Sequence, residues 1–234
     1  MPKPLFIACS GRKGGVAKTT SALCLASMFL RKDSRVLMID LDPQGSASVV
    51  LGIQPHASQA AALLRGDDWH PQAVLDEFDI LTGGSGLEDL SGGVGQLSIP
   101  EMDGLGYDVI IADCPPGSSQ IDRPALRAAH VVLVCCEAHR LAVAGAARVL
   151  GEITAYSPRP RSAVLLTRLD RRRGLDRTAP EILQGAFPDS PLFPIRQDSA
   201  LANALNSGML PGPSGRGWDD YQDVFHWIIE IGMR

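Results

Sequence analysis

The 234-residue chain contains no run of about 18 apolar residues, and the apolar stretch near its start is too short for a secretory signal. Neither a membrane bundle nor an exported protein is therefore expected. It also lacks any Cys-x-x-Cys pair: Cys9, Cys24, Cys114, Cys135 and Cys136 are an odd number set mostly among apolar neighbours. That pattern predicts reduced, packed thiols in a cytoplasmic protein, with no disulfide framework. An excess of basic charge is missing too. Lys and Arg number 22 against 26 Asp and Glu, a net charge of -4, which excludes a bulk-basic nucleic-acid binder. The deficit is uneven, because residues 1–137 carry 10 basic and 16 acidic side chains whereas residues 138–234 carry 12 and 10. With 45% hydrophobic and 21% charged residues, the chain reads as globular.

Short apolar runs alternate with longer helical patterns from end to end. The runs are Leu5 to Cys9, Val36 to Ile39, Phe78 to Leu81, Val109 to Ala112, Val131 to Cys135, Ala163 to Leu166 and a weaker Leu192 to Ile195. Helical spacing covers Thr19 to Leu30, Ile121 to Ala129, Leu141 to Tyr156, Pro180 to Phe187, Ser199 to Ser207 and Tyr221 to Ile231. The alternation predicts an α/β fold, a doubly wound and mainly parallel sheet of seven strands flanked by helices. Gly83 to Gly106 and Ser207 to Gly217, rich in Gly or Pro, read as loops. With no repeat and no linker, residues 1–234 are expected to form one domain.

The most informative segment follows the first strand: Ser10-Gly11-Arg12-Lys13-Gly14-Gly15-Val16-Ala17-Lys18-Thr19-Thr20. A glycine-rich turn between a buried strand and a helix aims backbone N–H groups and the helix dipole at one point, which suits a polyphosphate. Gly14 to Thr20 are thus candidate nucleotide contacts, Lys18 reaching the β- and γ-phosphates and Thr19 offering its hydroxyl to Mg2+. The strict pattern G-x-x-x-x-G-K-[ST] fails at both glycine positions, where Arg12 and Ala17 stand. The Ala17 methyl must then be accommodated beside the phosphates.

Two acidic strand ends complete the set. The second strand closes in Asp40-Leu41-Asp42-Pro43-Gln44-Gly45 and the fourth in Asp113-Cys114-Pro115-Pro116-Gly117. Carboxylates at the C-terminal ends of parallel strands lie on the edge where α/β sheets bind ligands. Asp113 fits a Walker B acid holding Mg2+ through water. Asp40 reads as a structural strand-end carboxylate, bonding to the phosphate loop or helping to hold the water shell around the metal.

With Lys13 five residues before Lys18 and Gly14-Gly15 between them, the loop resembles the deviant Walker A signature x-K-G-G-x-x-K-[ST] of the ParA/MinD family. The second strand end resembles that family's next signature, which implies that Asp42, 24 residues after Lys18, orients or activates the attacking water and contributes to the metal site. Cys-Pro-Pro after Asp113 resembles ParA more than MinD. The likeness continues at Glu137 to Leu141, at Thr167-Arg168 and at Phe193 to Arg196, and it implies base contacts at Thr167, Arg168 and Pro194. It further implies ATP and Mg2+ as cofactors, hydrolysis to ADP and phosphate, and a homodimer formed on ATP. Lys13 would there cross to the partner's nucleotide, and bulk at Gly14 would obstruct the seam.

Seven of the 18 arginines, Arg159, Arg161, Arg168, Arg171, Arg172, Arg173 and Arg177, fall between residues 159 and 177, beside only Asp170 and Asp176. Charge alone leaves two readings, a solvated loop and a phosphate-binding surface. The resemblance favours the second, because ParA-type ATPases bind DNA non-specifically as ATP-bound dimers. Arg171, Arg172, Arg173 and Arg196 are the candidate DNA contacts. The resemblance also implies a ParB-like or centromere-binding stimulating partner, and nucleoid association when ATP is bound. Since the phosphate loop begins near residue 11, no N-terminal helix-turn-helix domain is expected.

Other classes remain. A MinD-like positioning ATPase would use Tyr221 to Arg234 as a membrane-targeting helix, but Asp223 and Glu230 face only Arg234, so a packed helix and no stable membrane association are expected. A metal- or cofactor-delivery ATPase is the third reading. The cysteines lack the spacing of a cluster held between subunits, and Tyr107, Tyr156 and Tyr221 do not form the C-terminal tyrosine cluster of related kinases.

Overall fold

In a computed structural model, which describes residues 3–54, 58–92, 97–117, 120–170, 172 and 174–232, the apolar runs become the interior strands of one sheet. Every residue of β1 (Leu5–Ser10) but the first is buried, and so is every residue of β2 (Val36–Asp40). The chain passes from β1 through α1 (Lys18–Leu30) to β2, then through α2 (Ser46–Val50) and α3 (Gln59–Arg65). A hairpin, β3 (Gln72–Leu75) and β4 (Phe78–Leu81), follows, then a 3-10 helix (Ser85–Gly92) and β5 (Val109–Asp113). Next come α4 (Asp122–Ala128), β6 (Val131–Cys136), α5 (Arg140–Ile153), β7 (Arg161–Leu169) and α6 (Gly174–Ala186). The last elements are β8 (Leu192–Arg196), α7 (Ser199–Asn206) and α8 (Arg216–Gly232).

The strand order is β3-β4-β2-β5-β1-β6-β7-β8, all parallel except the β3–β4 pair. Alternate residues serve opposite faces, as the two-residue strand period requires. Phe6 and Ala8 pack with Leu63 of α3, Leu126 of α4 and Val149 of α5. Ile7 and Cys9 pack with Leu23 and Leu25 of α1, Leu201 of α7, and Tyr221 and Phe225 of α8. β1 lies between β5 and β6, so the connections leaving it and its neighbours diverge there, and the sheet opens a crevice at the strands' C-terminal ends.

Eight strands form where seven are expected. The additional one, β3, is an exposed edge strand whose Gln72–Leu75 lack the apolar density of the others. Ser58 caps α3 by accepting a hydrogen bond from the Ala61 N–H, and α3 buries Ala60, Ala61, Leu63 and Leu64. The Gly83 to Gly106 stretch contains the 3-10 helix rather than loop alone. Helix α6 begins at Gly174, with Pro180 inside it, and α8 begins at Arg216, earlier than the expected Tyr221. The apolar face of α8 (Trp218, Tyr221, Val224, Phe225, Ile228) is buried, with the Phe225 ring edge-on to Phe29 at 4.8 Å. No helix among the described residues is long and apolar enough to cross a membrane.

Candidate functional site

The turn between β1 and α1 is shaped by close approach. A Cβ on Gly11 would stand 2.6 Å from the Cys135 carbonyl oxygen, so only glycine lets the loop leave the sheet against β6. Gly15 has φ +76 and Ala17 φ +62, so two left-handed residues curl the loop before α1 starts. Lys18, the first residue of α1, is buried and its Nζ donates back to the Lys13 carbonyl at 3.2 Å. Thr19 Oγ1 donates to Asp113 Oδ2 at 2.6 Å, joining the phosphate loop to the end of β5. Asp113 Oδ1 is buried with no hydrogen-bond partner among the described residues.

Asp40 and Asp42 diverge. Asp40 Oδ2 accepts the Ser48 N–H and hydroxyl, each at 2.8 Å, and its Oδ1 accepts the Asp42 N–H at 3.1 Å. It therefore anchors the turn after β2, its partners among the described residues being Ser48 and Asp42 rather than the phosphate loop. Asp42 faces the cavity, its Oδ2 accepting the Ser46 hydroxyl at 2.7 Å and its Oδ1 the Gln44 N–H at 3.0 Å. Burial pushes both Asp40 and Asp113 above the ordinary carboxylate range, and in Asp113 the charge of Asp40 adds to it. This corner of the site calls for a cation.

A cavity of about 1000 Å³ opens beside these groups. Gly14, Gly15, Ala17, Lys18, Thr19 and Thr20 line it, and Thr167, Arg168, Ile195, Gln197 and Leu201 are among the other lining residues. Val16 and Pro194 are not lining residues: Val16 is buried in the core, and Pro194 sits in β8 paired with Leu166. Thr167 Oγ1 donates at 3.1 Å toward both the Val16 and the Cys136 carbonyl oxygens. The Arg168 guanidinium lies over the phosphate loop, Nη1 donating to the Gly15 carbonyl at 3.1 Å.

Lys13 projects outward. Its Nζ is 2.9 Å from Glu137 Oε2 and 3.0 Å from His139 Nε2. Burial pushes the Glu137 carboxyl up, but Lys13, Arg168 and His139 outweigh it and hold the group below its usual range. Of the candidate DNA contacts, Arg171 and Arg173 lie outside the described residues. Arg172 is fully exposed and grips Asp170 through Nε and Nη2, whereas Arg196 is bound to Asp220 of α8 and the Arg216 carbonyl. Arg196 thus ties β8 to α8. Sequence reasoning overlooked Ser48 and Gly83; two serines within eight residues of an acidic strand end were the available signal.

A family model described as an AAA domain matches residues 5–75. The chromosome-partitioning ATPase Soj of Thermus thermophilus is 33% identical over 216 residues, covering 86% of this chain and 85% of that protein. The chain belongs to the ParA/MinD family of P-loop ATPases. Among solved structures, cobyrinic acid a,c-diamide synthase of Mycobacterium smegmatis, bound to an ATP analogue and magnesium, superposes with a TM-score of 0.78 at 25% identity, covering 97% of this chain and 94% of that one. The septum site-determining protein MinD of Pyrococcus horikoshii, complexed with Mg-ADP, has a TM-score of 0.77 at 19% identity, covering 98% and 97%, and shares the fold. This ParA-like chain is accordingly an ATP hydrolase, and its phosphate loop borders the cavity at the crevice of the sheet.

Proposed function

We propose that this ParA-like ATPase closes into a homodimer around two molecules of Mg2+-ATP, binds DNA without sequence preference in that state, and spends ATP to partition a plasmid, chromosome or other large cargo. The observation that carries the reading is the division between the two signature lysines. Lys18 is folded into its own phosphate loop, while the Lys13 side chain points away from it, half exposed and, among the described residues, paired with Glu137 and His139. A cation in that position, once it exchanges Glu137 for phosphate, reaches a nucleotide held by a second copy, so closure and ATP binding become one event.

Within each copy, Gly14 to Thr20 cradle the phosphates through backbone N–H groups and the Lys18 ammonium. The orphaned Asp113 Oδ1 and the Thr19 hydroxyl fit Mg2+, Thr19 as a direct ligand and Asp113 through water, with Asp42 close to the same end of the cavity. When bound, Mg2+ neutralises charge on the β- and γ-phosphates. Asp42, held by Ser46 and Gln44, orients the attacking water and takes up its proton. The arginine-rich segment around Arg172 supplies the DNA surface, doubled in a dimer, and a ParB-like protein stimulates turnover.

Sedimentation with DNA and with anionic liposomes, each with ATP and with ADP, tests the reading. DNA binding only with ATP, lost together with dimerisation in Lys13→Ala, is expected. Replacing Arg171, Arg172 and Arg173 by Ala should weaken DNA binding and flatten its salt dependence while sparing dimerisation. Liposome binding without DNA binding would overturn the partition reading in favour of a membrane-positioning one.

A further inference from the structure

The pairing of β7 with β8 slips between Leu166 and Leu169, so Thr167 and Arg168 form a bulge at the end of β7 that faces the cavity. Bulges beside active sites re-aim a side chain that strand alternation would send elsewhere. Arg168 carries the strain of that turn, with φ +58, a left-handed conformation disfavoured for a residue with a β-carbon. Thr167, immediately before it, is pinned to the Val16 and Cys136 carbonyls, which fixes the bulge against the phosphate loop. The strain thus has a direction: it turns a guanidinium onto Gly15.

What the guanidinium finds there is less than it can hold. Among the described residues its five donors meet one carbonyl at 3.1 Å and, more distantly, Glu137 Oε1 at 3.4 Å, and half of the side chain remains exposed. Glu137 meanwhile serves Lys13 and Arg168 together. Two fixed positive charges against one negative leave an excess cation beside a cavity built for a polyphosphate. Planar, bidentate recognition of phosphate is what a guanidinium does best.

We propose that Glu137 is a resident counter-ion which the nucleotide's phosphates displace, and that Arg168 then contacts the polyphosphate of its own subunit as a further cation beside Lys18. The proposal rests on the ATPase reading and specifies the phosphates, rather than the adenine base, as the group Arg168 recognises. Glu137 holds Lys13 and Arg168 away from the phosphates until nucleotide arrives, and each must exchange the carboxylate for phosphate oxygens.

The test is calorimetric titration of the chain, Arg168→Gly and Glu137→Gln with Mg2+-ATP, Mg2+-ADP and inorganic tripolyphosphate, alongside thermal melts without ligand. Glycine is at ease at φ +58, so Arg168→Gly should retain the wild-type melting midpoint or exceed it. It should lose about tenfold or more in affinity for ATP and tripolyphosphate and a smaller factor for ADP, the pattern of a lost phosphate contact. Glu137→Gln should move ATP affinity the other way, tightening it several-fold. Equal losses for ATP and ADP with unchanged tripolyphosphate binding would assign Arg168 to the base and overturn the proposal. Unaltered ATP affinity in Arg168→Gly, or weakened affinity in Glu137→Gln, would overturn it as well. If the unsubstituted chain failed to bind ATP, the ATPase reading itself would fall, an outcome seen before any variant is compared.

Discussion

Arg12 donates from Nη1 to the Asp122 carboxylate at 2.6 Å, carrying the phosphate loop's second residue away from the nucleotide and into the interior. The same Nη1 donates to the Gly117 carbonyl at 3.0 Å, while the Gly117 N–H donates to the Arg12 carbonyl at 2.9 Å. Nη2 donates to Glu152 of α5, which also accepts the Tyr156 hydroxyl. Gly145 makes the room, since a Cβ there would stand 3.1 Å from Arg12 Cβ. One side chain therefore joins the phosphate loop to the segment after β5, to α4 and to α5.

Removing it strands the Asp122 carboxylate, whereas Glu152 keeps Arg123 and the Tyr156 hydroxyl. Asp122 is 1% exposed and Arg12 only 11%, so Arg12→Ala leaves charge in a site water hardly reaches. We expect a loss of about 3–5 kcal/mol in urea unfolding, the cost typical of breaking a buried pair from one side. A loss below about 1 kcal/mol would mean that the network is no more than a surface pair.

The Asp122 carboxyl has its own signature in pH. Burial pushes it up to about 6; Arg12 pulls it down, and the charge of Glu152 works against Arg12. Unfolded, the group titrates near 3.9. Between about pH 4 and 6 the unfolded chain releases this proton while the folded chain keeps it, so its contribution to stability falls as pH rises and is flat above about 6. Asp122→Asn should lack this slope, gaining on the wild type through that window by ~3 kcal/mol at most. Parallel stability curves for the two proteins from pH 4 to 7 would refute the assignment.

The sheet was legible because its inner strands are nearly unbroken apolar runs, as burial on both faces demands. β3 was not, because Gln72 to Leu75 form an exposed edge whose existence depends on pairing with β4. In the site, glycine and lysine spacing marked the turn between β1 and α1, where Thr19 meets Asp113 at the end of β5. Contacts that depend on chain crossing were invisible. A Cβ on Gly83 would lie 2.5 Å from the Asp42 carbonyl oxygen and 2.9 Å from Asp40 Cγ, yet nothing in its Gly-Gly setting distinguishes a close approach from an ordinary turn. Glu137, 124 residues after Lys13, likewise becomes its partner only when β6 lies beside β1.

The two signature lysines should separate in their effects. Lys18→Ala removes the ammonium inside the loop and should abolish measurable ATP binding or turnover. Lys13→Ala leaves the cradle intact, so a single subunit should still bind nucleotide while ATP-dependent dimerisation is lost. Light scattering after size exclusion, paired with nucleotide titration, reads both quantities. A Lys13→Ala protein that dimerises normally on ATP would show that the outward lysine does not act across a seam.

Ala17 offers a gain rather than a loss. It caps α1 with φ +62 and ψ +29, and its carbonyl accepts both the Ser21 N–H at 2.9 Å and the Ser21 hydroxyl at 2.8 Å, so the left-handed turn is fixed from below. A β-carbon in that conformation costs about 1–2 kcal/mol, whereas glycine gives back roughly 0.5–1 kcal/mol through the greater freedom of its unfolded chain. Ala17→Gly should therefore stabilise the protein by up to about 1 kcal/mol, a rise of roughly 2–4 °C in melting temperature for a chain of this size. It also clears a methyl from the phosphate end of the cavity, so ATP affinity should hold or increase. Ala17→Val, β-branched in the same left-handed turn, should reverse both effects. A lower melting temperature for Ala17→Gly than for the wild type would show that the turn carries no strain to relieve.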